Sequence, residues 1–238
     1  MTDTGVARVT HPRLAPRRSA GPRPWWAKAW SRAVEEAAFS ERDLRDGSRL
    51  ARAGMVGGIG IGPGSALAAV REDDDAWTVT VDLPTVDDDA AAALVEVVAA
   101  EAGRVAALLA GDLPHRLVEE AEEVGAELLP YGGELATTCT CPHALDPCPH
   151  ALAVLVQLGW LLATDPFVLL TLRGLTREDL LARLHTHGTG AAHGSDGADG
   201  STAADPDEPD ALDLAVDAAL RAARLLRDLE RGEAPSRW

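Results

Sequence analysis

The three cysteines of this 238-residue chain fall within ten residues, as Cys139-Thr-Cys141, a six-residue loop, and Cys148-Pro-His150. Three thiolates and one imidazole make a closed tetrahedral donor set for Zn²⁺, the composition of structural zinc sites. A catalytic zinc keeps one position open for water and usually has three protein ligands, often His and carboxylate. Here four donors fill the shell, and three sulfurs leave the ion a poor Lewis acid. The chain has no H-E-x-x-H, no H-x-E with P-C-x-x-C and no Ser/His/Asp signature. The expectation is one structural Zn²⁺ on Cys139, Cys141, Cys148 and His150, with no catalytic residue and no small-molecule substrate. His143, two residues after Cys141, is a rival nitrogen ligand; His150 is preferred because it leads directly into the helix that the ion must fix. Two other states of the thiols stay open at this level, a strained disulfide across Cys139-Thr-Cys141 and buried thiols without metal. A redox switch, in which oxidation of the clustered thiolates ejects the metal, is a further reading compatible with the zinc site and stays open at this level.

The flanking sequence suggests how the ligands are held. Leu128-Leu-Pro-Tyr-Gly132-Gly133-Glu-Leu135 reads as a hairpin with a Gly-Gly turn, whose second strand delivers Cys139 and Cys141. Alternate residues of a strand point the same way, so both sulfurs can face one ion. Pro149 suits the first helical position, which puts Cys148 at the N-cap, where the helix dipole favours a thiolate. Residues 148 and 150 converge only because one lies outside the helix and the other in its first turn. Residues 151–163 are apolar nearly all round, the pattern of a buried helix, and too short to span a bilayer.

Upstream, residues 1–24 hold four prolines with arginines and no apolar period, and are expected as a disordered basic arm. Trp25, Trp26 and Trp30 open a helix to about Ala38; anchoring that helix on the body is favoured over stacking nucleic-acid bases. A second helix covers 42–52. Residues 56–61, 66–70 and 77–83 are short apolar or alternating runs between Gly-Pro-Gly and Asp-Asp-Asp, a three-stranded antiparallel meander. Asp87-Asp88-Asp89 cap a long helix to about Ala110, ended by Gly111, and a shorter one covers 114–124. Residues 187–208 lack any large apolar side chain and read as a flexible acidic linker. Leu212, Val216, Leu220, Leu225 and Leu229 then mark an amphipathic C-terminal helix within 209–238. The fold class is α+β: N-terminal helices and meander in 25–126, then a ββα zinc finger with following helices in 127–186.

At its zinc motif the chain resembles the SWIM zinc-finger family, whose pattern is C-x-C, a variable loop and C-x-H on a ββα unit. The flanks are similar to bacterial SWIM-domain proteins that accompany Swi/Snf-type helicases: Trp25, Trp26 and Trp30; Ala51-Arg52-Ala53-Gly54 before the meander; and Asp165-Pro-Phe-Val-Leu-Leu-Thr-Leu-Arg-Gly174. The resemblance covers 25–186. It implies zinc binding by Cys139, Cys141, Cys148 and His150, and a role in binding DNA or proteins. Pro149 stands where many members carry Lys, and His143 where an acidic residue is common, so a cation beside the zinc is lost.

Charge bears on the partner. The formal net charge is −16, which disfavours a general nucleic-acid coat. Residues 1–32 nevertheless hold seven cations (Arg8, Arg13, Arg17, Arg18, Arg23, Lys28, Arg32) against Asp3. The expected function is a non-catalytic adaptor for a protein partner such as a Swi/Snf-type helicase or other DNA-processing ATPase. The alternative is direct DNA binding through the basic arm. No signal peptide or membrane span is apparent; clustered free cysteines suit a reducing compartment, and a cytoplasmic location is expected.

Overall fold

The computed structural model describes residues 8–18, 21 and 23–193. Five strands form one antiparallel sheet in chain order: β1 (Val9–His11), β2 (Val56–Gly62), β3 (Ser65–Glu72), β4 (Asp75–Asp82) and β5 (Ala136–Cys139). Among the described residues eight helices accompany it: α1 (Trp25–Ala37), α2 (Glu41–Arg52), α3 (Asp88–Ala99), α4 (Ala102–Leu109), α5 (His115–Glu123), α6 (Pro149–Leu162), α7 (Phe167–Leu172) and α8 (Arg177–His193). The architecture is α+β. Strand β3 alternates buried Ala66, Ala68 and Val70 with exposed Leu67, Ala69 and Arg71, so one face of the sheet packs on the core and the other meets solvent.

Helix α6 is the axis of that core. Apolar on every side, it buries 12 of its 14 residues between the sheet and helices α1 and α2. Its neighbour α2 comes unusually close: a Cβ on Gly47 would lie 2.7 Å from Leu152 Cβ and 2.8 Å from the Pro149 carbonyl oxygen. Glycine in a helix interior costs about 1 kcal/mol against alanine, so its place here is set by this contact. Helix α1 is pinned by its tryptophans. Trp26 and Trp30 donate their indole N–H to the carbonyls of Leu162 (2.8 Å) and Leu155 (2.9 Å), and Trp25 donates to Leu113 (3.0 Å). The tryptophans anchor, as their spacing suggested.

Several expectations are corrected. The three-stranded meander is the middle of a five-stranded sheet. The outer strand β1 comes from the supposed disordered arm and pairs Val9, Thr10 and His11 with Ile61, Gly60 and Ile59. Arg13 donates two hydrogen bonds to the Gly54 carbonyl (2.8 and 2.6 Å), the Arg17 N–H donates to Arg52 O (3.0 Å), and the Arg17 guanidinium lies 4.3 Å from the Trp160 ring centroid. A three-residue edge strand has no apolar period to find, and its stability comes from pairing that composition does not reveal. The Gly-Gly hairpin is absent too. Gly132–Glu134 form a turn of 3₁₀ helix, because Gly132 packs against α1, where a Cβ would sit 2.6 Å from Glu36 Cβ. The long helix from Asp87 is two helices, broken at extended Glu101; Arg104 of α4 donates to Val97 O (2.6 Å), occupying a carbonyl in the last turn of α3. Helix α8 runs to His193, past the expected start of the linker at 187; the C-terminal amphipathic helix lies outside the described residues.

Segments 25–126 and 127–186 share one core and one sheet. Arg173, buried after α7, ties them further: it donates to Leu128 O (3.0 Å) and Pro84 O (2.9 Å) and pairs with both carboxylate oxygens of Glu134 (3.1 and 3.0 Å).

Candidate metal centre

Three pieces of chain meet at the N-terminal end of α6. The first is β5, held antiparallel to β4 with Cys139 opposite Val79. The pairing carries past the strand's end, since Thr140 N donates to Thr78 O and Thr78 N to Thr140 Oγ1, both at 3.0 Å. This fixes Cys139 and directs Cys141 toward the helix. The second piece is the loop from Pro142 to Pro147. The third is the start of α6 itself. Cys148 is the N-cap and Pro149 the first helical residue; the Cys148 sulfur accepts from Ala151 N (3.5 Å), satisfying one of the orphan amides of the first turn.

Cys139, Cys141, Cys148 and His150 thereby bring one donor atom each within 4.8 Å of all the others. The sulfurs of Cys141 and Cys148 are 3.6 Å apart, and His150 Nδ1 lies 4.0 Å from the sulfurs of both Cys139 and Cys148. A tetrahedral zinc with its usual bond lengths spaces sulfurs by about 3.8 Å and sulfur from nitrogen by about 3.5 Å. The four donors therefore match in kind and number, and their distances lie within about half an ångström of that spacing. Cys148 is wholly buried and His150 is 6% exposed. Without a cation, burial pushes the Cys148 thiol up to about 12, despite the Ala151 amide, and raises the Cys139 thiol as well. Neutral thiols in this setting have little to bind them together, whereas a dication deprotonates coordinating thiols outright. His143 is not among the donors. It is exposed, and its Nδ1 lies 3.3 Å from Leu145 N and 3.1 Å from Leu145 O within its own loop.

The rest of the surroundings was not foreseen. His150 Nε2, the nitrogen facing away from the sulfurs, lies 2.9 Å from Glu72 Oε2 at the end of β3, and the Trp77 ring lies 6.1 Å from the imidazole, centroid to centroid. Glu72 stands 78 residues before His150 and heads the run Glu72-Asp-Asp-Asp75. In sequence that run is a solvated hairpin turn, with nothing to single out its first carboxylate.

A closed shell of three thiolates and one imidazole defines a structural zinc finger. The comparison with protein families gives it a type: residues 122–159 match the SWIM zinc finger. The centre is a SWIM-type site for one structural zinc ion, held by Cys139, Cys141, Cys148 and His150. The chain is also similar to the uncharacterized protein Rv2102 of Mycobacterium tuberculosis, 30% identical over 175 residues. That match spans 72% of this chain and 63% of the relative, less than two thirds of its length. No solved structure matches the chain.

Proposed function

We propose that the protein is a non-catalytic, zinc-braced adaptor that docks onto a protein partner, a Swi/Snf-type helicase or other DNA-processing ATPase of the cytoplasm. The observation that carries the non-catalytic part is the closed shell: four donors within 4.8 Å of one another leave the ion no position for substrate or water. The ion instead fixes the start of the helix on which the core is built. The helicase partner rests on the resemblance of the flanking motifs.

Docking to protein is favoured over direct DNA binding by the state of the arm. Three of the seven cations keep their charge but are held on the body: Arg13 on Gly54 O, Arg17 on the Trp160 ring and Arg8 on Ser65 Oγ (3.2 Å), which leaves them less free to follow a phosphate backbone. Among the described residues, no helix is long and apolar enough to cross a membrane.

The test has two arms on the full chain. Sedimentation velocity with a purified Swi/Snf-type ATPase from the same genome is expected to show a complex at micromolar concentration. Fluorescence anisotropy with labelled single- and double-stranded DNA, at about 50 and 200 mM salt, is expected to show no binding by the chain alone. A slope of log affinity against log salt of roughly 0.9 per phosphate contact, lost on changing Arg18, Lys28 and Arg32 to Gln, with no complex in the first arm, establishes the DNA reading instead.

A further inference from the structure

The hydrogen bond between His150 and Glu72 reaches outside the segment that matches the SWIM finger, and it constrains the metal site chemically. His150 follows the N-cap by two residues, so its ring is short of reach and presents the nearer nitrogen, Nδ1, to the sulfurs. An imidazole that binds metal through Nδ1 must be neutral there and carry its proton on Nε2. That proton points at Glu72 Oε2, 2.9 Å away. The other oxygen of the same carboxylate faces Arg49 Nη2 of α2 at 3.7 Å.

The placement is selective. Zinc with three thiolates carries a formal charge of −1, and Asp73, Asp74 and Asp75 follow in the same turn. A further carboxylate beside that charge is repelled unless something directional compensates. Glu72 has two such compensations, the Nε2–H of a buried imidazole and a guanidinium. Glu72 also closes the β3–β4 ladder opposite Asp75, so the strand pairing fixes its backbone.

We propose that Glu72 is the outer carboxylate of the zinc centre: a positioning residue that holds His150 in the Nδ1-binding tautomer and ring orientation, with Arg49 orienting it. Zinc affinity therefore depends on the β3–β4 hairpin and α2, not only on residues 122–159. Partners of this kind, when removed, typically cost 10–100-fold in metal affinity.

The test measures the zinc dissociation constant of the full chain by chelator competition, for the wild type, Glu72→Ala, Glu72→Gln, Arg49→Ala and Asp74→Ala. Expected are a loss approaching about a hundredfold for Glu72→Ala and about tenfold for Glu72→Gln, which keeps the hairpin and an acceptor oxygen but not the charge. Arg49→Ala falls in the same direction by less, and Asp74→Ala stays within twofold of wild type. The spectroscopic check is ¹⁵N NMR of the zinc-loaded imidazole: a slowly exchanging Nε2–H in the wild type that exchanges fast in Glu72→Gln, while amides of β3 and β4 keep their protection. Glu72→Gln within twofold of wild type in affinity overturns the proposal, even where Glu72→Ala fails to fold. So does an equal loss in Asp74→Ala, which assigns the effect to the net charge of the turn.

Discussion

The two ends of α6 face the same physical problem and solve it by different chemistry. A helix leaves four amide hydrogens unpaired at its start and four carbonyls at its end. At the start, Cys148 accepts from Ala151 N and, with His150, belongs to the zinc site. At the end, the last carbonyl, that of Leu162, takes the indole hydrogen of Trp26, while Trp30 lies along the same face and donates to Leu155 O. One end is conditional: it is complete only with metal, reduced sulfur and deprotonated thiols. The other is built from groups that do not titrate or oxidise readily. A fold made this way has one end that responds to metal supply and another that stays fixed.

The largest effect that breaks this comparison is loss of the metal. Cys148→Ser removes an innermost ligand but keeps a side-chain oxygen that can still cap α6, so what is lost is the metal, with up to about 10 kcal/mol of metal-linked folding free energy at stake. Hydrogen exchange is expected to quicken first in β5 and the opening turns of α6, with residues around Trp26 and Trp30 protected longest. Equal quickening at both ends means that the helix has no separable halves. Binding is also pH-linked. Burial raises the Cys148 thiol to about 12 in the metal-free protein, so zinc must displace its proton at neutral pH and affinity rises with pH. Calorimetry in buffers of different ionisation enthalpy is expected to show net proton release on zinc binding. The sign for the metal-free fold is opposite: a thiol raised above its ordinary value of 9.0 favours the fold below that pH and loses this contribution as pH rises through about 12.

Trp30→Ala attacks the tryptophan side of the comparison, at the middle of α6, where the indole donates to Leu155 O. Trp30 is 1% exposed, and deleting such a ring costs about 3–5 kcal/mol. Denaturant unfolding with zinc saturating is expected to show that loss with the zinc dissociation constant changed little. Gly47→Ala works on the metal end from the outside, through α2. The added methyl lands 2.7 Å from Leu152 Cβ and 2.8 Å from the Pro149 carbonyl, so either α2 or the start of α6 must shift. About 1–3 kcal/mol of strain outweighs the gain in helix propensity, and because Pro149 separates two zinc ligands, a modest loss of zinc affinity is expected with it.

How far this was legible in the sequence follows the same division. The metal end was readable because cysteine is scarce in this chain and its spacing excludes most other uses. The tryptophans were readable as anchors because Trp26 and Trp30 share a helix face, β4 because Val79 and Val81 alternate with polar residues, and β3 because a short apolar run lies between turn residues. The failures are elements whose reason lies in another part of the molecule. Strand β1 exists because β2 has an edge to pair. The turn at Gly132 exists because α1 leaves no room for a Cβ. The break at Glu101 lets Arg104 reach Val97 O and pair with Glu101 and Glu120. Glu72 matters because His150 meets it across 78 residues. None of these has a local pattern, so none could be found by period or motif.

The smallest prediction sharpens the comparison most. Trp26→Phe keeps a buried ring and deletes one N–H, leaving the Leu162 carbonyl without its indole donor. The expected cost is about 1–2 kcal/mol, one hydrogen bond plus the penalty of a buried acceptor left unpaired. If the two ends act independently, that cost is the same with zinc bound and with zinc stripped by chelator, as for well-separated sites. The helix is continuous from Pro149 to Leu162 and packed along its whole length, so coupling is the competing outcome. A cost that shrinks by more than about 0.5 kcal/mol on chelation means that the Trp26 anchor is tight only when the metal holds the far end. The indole end would then be conditional as well, and the whole of α6 would respond to zinc as one element.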